Sequence, residues 1–125
     1  MIKINVFSEE KAWSKKLRNK SIFFENICKA FPNKYKFTNK KIYLTLLLSN
    51  NKNIKKLNKY FRKKNKPTDI LSFPTDKKLK IKNQTYIGDI IISYDFINKS
   101  KPQNSLIFKE KLIKTFIHGF LHLLN

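Results

Sequence analysis

The chain's two histidines, His118 and His122, lie four residues apart. On a helix that spacing stacks two side chains on one face, one turn apart. Two imidazoles presented this way are half of a zinc site. Neutral ring nitrogens bind the ion at about 2.0–2.1 Å, and a catalytic site uses three protein ligands with a fourth position left for water. The same pair could instead fill space on a buried helix and hydrogen-bond there, and the HxxxH spacing leaves both readings open. Position 119 is glycine. The helix therefore carries no glutamate base of the HExxH kind, which argues against a metallopeptidase.

Three further side chains could act with such a pair. Arg62 is one of two arginines in a chain whose other basic residues are lysines. It falls at the end of a helical pattern, where a planar guanidinium suits bidentate contact with phosphate, although a solvated basic helix end reads the same way. Asp69 follows Thr68 just before a strand pattern, either as turn chemistry or beside a site. Asp89 sits inside the apolar run 86–93. A carboxylate there must pair with a cation or orient a ligand, because burying it alone is costly. Supporting a metal-bound histidine is one such use.

The elements that must position these residues follow from periodicity. Ile2, Ile4 and Val6 alternate with polar residues as a half-buried strand does. Ser8 could cap a helix carrying Trp13, Leu17, Phe23/Phe24, Ile27 and Phe31, interrupted near residues 19–21 and ended by Pro32. Residues 41–48 read as a strand buried on both faces. Ser49-Asn50 caps a helix with Ile54, Leu57 and Tyr60/Phe61 inward. A short strand over 70–73 is stopped by Pro74, and a polar, hairpin-like excursion fills 75–85. Residues 86–93 form a fourth strand, 94–100 a short helix, and 101–105 a break. The last helix, 106–124, is apolar almost all round and so central to its domain. This order predicts one α+β domain, a mixed four-stranded sheet packed with helices, with the HGxLH stretch on the central C-terminal helix.

Composition sets the outer limits. A length of 125 residues is one domain, and 41% hydrophobic residues with 11 Phe can bury a core. No apolar run is long enough to span a bilayer. One cysteine, Cys28, excludes an internal disulfide and is expected to be packed rather than reactive. A cytoplasmic location is the default. The net charge of +20 favours a polyanionic partner. The lysine, asparagine and isoleucine bias of A+T-rich coding accounts for part of it.

Taken together, Asn65-Lys66-Pro67-Thr68-Asp69-Ile70-Leu71-Ser72-Phe73-Pro74, Ile87-Gly88-Asp89-Ile90-Ile91-Ile92-Ser93 and His118-Gly119-Phe120-Leu121-His122-Leu123-Leu124 resemble the YbeY family of bacterial rRNA maturation factors, in order and spacing over essentially the whole chain. The resemblance implies a metal-dependent single-strand endoribonuclease acting in 16S rRNA 3′-end maturation and ribosome quality control. Its partners would be rRNA and the small ribosomal subunit. It implies zinc on three histidines, of which His118 and His122 match the first two, and it places the RNA-engaging arginine at Arg62. Asn65 stands where the family has aspartate. The third ligand is expected beyond Asn125, so 1–125 reads as a YbeY-like domain lacking the family's C-terminal end. A two-histidine site would be weaker and more open. The competing readings are an RNA- or ribosome-binding module without catalysis and a metal-dependent peptidase.

Overall fold

The computed structural model describes residues 1–81, 84–99 and 105–124. In chain order these form β1 (Ile2–Ser8), α1 (Trp13–Lys16), α2 (Lys20–Lys29), a 3-10 turn (Asn33–Tyr35), β2 (Lys41–Ser49), α3 (Asn51–Arg62), β3 (Ile70–Ile81), β4 (Gln84–Ser93), α4 (Tyr94–Ile97) and α5 (Ser105–Leu124). The sheet order is β1-β2-β4-β3. β1, β2 and β4 run parallel, and β3 pairs antiparallel with β4 at one edge. The expected mixed four-stranded α+β architecture is therefore present.

Strand alternation splits the sheet into two faces. Ile42, Leu44, Leu46 and Leu48 of β2 join Ile90 and Ile92 of β4 in a core with α1, α2 and α5. The alternate residues Leu47 and Ile91 face a smaller cluster with Leu71, Phe73 and Ile54 of α3. β2 is thus fully buried on one face and only half-buried on the other, where burial on both was expected. The main core is sealed by aromatics. Phe24 packs on Phe116 and Phe31 on Phe120, each pair 5.1 Å between ring centroids, tying α2 and the turn after it to α5. Full burial of such a ring contributes about 1.5–3 kcal/mol. Trp13, wholly buried, stacks edge-on to Tyr94 and donates its Nε1–H to the Ser49 carbonyl at 2.9 Å.

Helix boundaries follow side-chain caps. Asn19 accepts from the Ile22 N–H and starts α2, which accounts for the interruption expected there. Asn50 does the same for Asn53 and starts α3. Ser8 caps nothing: it ends β1, and the Glu10 carboxylate takes the Ala12 N–H instead. Pro74 does not stop β3. On an edge strand a missing N–H need not break the ladder, and the strand continues past a register shift to Ile81. The expected polar excursion is therefore largely the β3–β4 hairpin. Part of the expected break at 101–105 lies outside the described residues.

Candidate active site

α5 runs antiparallel to β4, and its first half anchors it. Phe108, Leu112 and Phe116 are fully buried. Further along, the helix presses onto the sheet at Gly119. A Cβ there would collide with the Ile70 side chain and lie 3.0 Å from the Ser72 hydroxyl. The Ser72 hydroxyl in turn donates to the Gly119 carbonyl at 3.3 Å. Leu123 continues the contact. A Cβ on Gly88, which holds φ +142°, would sit 2.8 Å from the Leu123 side chain. One ridge of the helix, at 119 and 123, is thus seated on β3 and β4. The neighbouring ridge, at 118 and 122, stays exposed.

On that ridge the His118 and His122 rings stack 4.7 Å apart, and their Nε2 atoms approach to 2.8 Å. One ring nitrogen donates to the lone pair of the other. Two nitrogens bound tetrahedrally to a shared zinc at about 2.0–2.1 Å lie about 3.3 Å apart. The observed separation is within about half an ångström of that, so the pair fits two positions of a zinc site. Among the described residues no three His, Cys, Asp or Glu side chains group closely enough to hold a metal.

Arg62 is the last residue of α3, exposed, on the opposite face of the sheet. Its neighbour Phe61 packs on Phe73 at 5.1 Å. Phe73 pairs with Asp89, one residue from the Gly88 on which Leu123 rests. Phe61, next to Arg62, therefore lies over the stretch of β3 and β4 whose other face carries Leu123. The helix ends there because Lys63 takes a left-handed conformation, φ 60°, and its N–H turns back to the Lys59 carbonyl.

The two aspartates lie apart from the histidines. Asp69 is exposed at the head of β3. Its carboxylate accepts from the Thr68 hydroxyl at 3.3 Å and its carbonyl from the Ser93 N–H at 3.0 Å. Asp89 pairs in register with Thr45 and Phe73, so it lies on the α3 face of the sheet, the face away from α5. Its carboxylate is held by the Tyr86 hydroxyl and the Thr45 side chain. Burial raises its pKa above the ordinary 3.8, and the Thr45 hydrogen bond opposes that rise. Asp89 thus sits beside Tyr86 and Thr45, where support of a metal-bound histidine was one expectation. The cross-strand pairing that selects those partners has no local signature. Gly119 and Ser72, which set the seat of α5, were visible only as members of their motifs.

A family profile described as Endoribonuclease YbeY matches residues 5–125. The chain belongs to the YbeY endoribonuclease family. An Endoribonuclease YbeY of Pelagibacter ubique is 64% identical over all 125 residues, which span 82% of that relative. One from Ehrlichia canis is 34% identical over 125 residues, the whole of this chain and 78% of the relative. Among solved structures, a Thermotoga maritima protein determined in solution superposes with a TM-score of 0.55 at 26% identity, covering all of this chain and 73% of the other. Family membership accounts for the three sequence stretches at once: the edge strand, its partner β4 and the histidine helix are the elements that meet at this site. It makes the chain one of a family of RNA-cleaving hydrolases. No described helix is long and apolar enough to cross a membrane.

Proposed function

We propose that this protein is a metal-dependent single-strand endoribonuclease of the YbeY type, acting on rRNA in 16S 3′-end maturation and ribosome quality control in the cytoplasm. The observation that carries the reading is the convergence of the His118 and His122 Nε2 atoms at 2.8 Å on an exposed helix ridge, in a chain of this family. Zinc held by these two nitrogens would supply Lewis-acid polarisation of a phosphate or a water. The remaining work falls to the chain. Gly119 and Ser72 seat α5 on β3 and leave the neighbouring histidine ridge open. Arg62, exposed at the end of α3 on the other face of the sheet, engages phosphate and offsets the charge that develops there. The lysines supply affinity that does not depend on sequence.

Expression of the chain with measurement of bound zinc and of single-stranded RNA cleavage tests this. His122→Ala should lose zinc and lower cleavage by at least about a hundredfold, the range of one lost catalytic contact. Arg62→Ala should keep zinc and cleave more slowly. Equal cleavage by wild type and both variants would sink the site assignment. The second reading is an RNA- or ribosome-binding protein without catalysis. It rests on the net charge of +20, which can hold a polyanion without any metal. It predicts RNA binding with neither stoichiometric zinc nor cleavage.

A further inference from the structure

The C-terminal half of α3 carries two aromatics that the fold leaves in water. Tyr60 is 73% exposed and Phe61 57%, their rings edge to face at 4.7 Å. Both were expected to face inward. The buried positions are instead Ile54 and Asn58, whose side chain donates to the Lys66 carbonyl at 2.8 Å and holds the following turn against the helix. That turn makes one wall of a depression of about 570 Å³, lined by Lys56, Lys59, Tyr60, Lys63 and Asn65. Lys56, Lys59 and Tyr60 stand at i, i+3 and i+4, so they share one helix face, and Lys63, just past the helix end, lines the same depression. Between Asn51 and Thr68 there are eight basic residues and no acidic one, twice the chain's average density of positive charge. Coding bias acts on the whole chain and does not explain that local excess. Exposed aromatic surface ringed by charge marks an interaction site.

We propose that this α3 depression is a stacking platform for single-stranded RNA, with a base on the Tyr60 ring and the flanking phosphates on Lys56, Lys59 and Lys63. The chemistry selects the ligand: a single strand presents π-faces and negative charge in alternation, which is what aromatic and lysine side chains bind together without regard to sequence. An acidic protein would match the lysines and leave the ring uncovered. The proposal rests on the endoribonuclease reading for its substrate class. It adds a binding surface on the Arg62 side of β3, away from the histidines.

Fluorescence anisotropy with an oligouridylate of about 12 nucleotides, within the usual site size, and with an abasic strand of equal length and charge gives the test. Tyr60→Ala should weaken the RNA at least about fivefold, the lower end of what one stacked base contributes. It should leave the abasic strand unchanged, and Tyr60→Phe should retain binding. Because Tyr60 is exposed, Tm should not move. Lys59→Gln should weaken both strands alike and reduce the salt dependence. Loss of both strands together in Tyr60→Ala, or of neither, overturns the platform. So does a wild-type chain that ignores RNA and binds oligoglutamate, which would assign the surface to an acidic protein. His122→Ala separates the two readings. If it cleaves like wild type while Tyr60→Ala loses RNA, the platform stands and the histidine assignment falls. If His122→Ala loses cleavage and Tyr60→Ala binds normally, only the platform falls.

Discussion

Asp89 holds a half-buried carboxylate on the α3 face of the sheet, where desolvation disfavours its charged form more than the Thr45 hydrogen bond favours it. The folded pKa is raised above the unfolded one. Its contribution is therefore full below about pH 3.8, the ordinary value, and is lost as pH rises through the folded value. At neutral pH the ionised group is a liability. Asp89→Asn, which keeps an acceptor for Tyr86, should raise Tm relative to wild type at pH 7, with the difference shrinking toward pH 3 in thermal scans. A difference that grows on acidification would reverse the sign. Cys28 follows the same physics more strongly. Burial, with the Glu25 charge in support, pushes its thiol up to about 12, so it packs and does not react.

Two backbone positions set the elements around the site. Lys63 ends α3 in a left-handed conformation that a side chain disfavours. Lys63→Gly should stabilise the fold by about 1 kcal/mol, read as a rise in the urea midpoint. An unchanged midpoint would mean the turn is not strained. Gly119 is constrained in the opposite sense: it leaves no room for a methyl against Ile70 and Ser72. Gly119→Ala should cost about 1–3 kcal/mol and shift α5, with its histidine pair, on its seat against β3. Zinc affinity measured on the folded fraction would fall with it, whereas unchanged affinity would separate the seat from the site. The glycine between the histidines thus has a packing reason that the spacing of the imidazoles did not reveal.

Across the whole molecule, a net charge of +20 is held by a fold with one thoroughly buried core face and an α3 face left largely open. RNA affinity should fall linearly on a log–log plot against salt, with about −0.7 of slope for each phosphate neutralised on a single strand. A flat plot would assign the lysine excess to coding bias alone.

The mixed sheet, the break before α2, the Asn50 cap and the last helix were legible in periodicity and capping residues, because those signals act within a few positions. The i, i+4 histidines were legible for the same reason, and their Nε2 atoms do converge. Which face each residue occupies across strands was not legible. Asp89 looked available to a histidine, yet its place opposite Thr45 and Phe73 puts it on the other side of the sheet. Tyr60 and Phe61 fitted an inward pattern, yet α3 meets the sheet through Ile54 and Asn58 and leaves both aromatics in water. Pro74 looked like a strand end until β3 proved to be an edge. Local sequence determined the elements and the histidine pair. Strand register and helix seating, which are long-range packing outcomes, decided which side chains share a face with that pair.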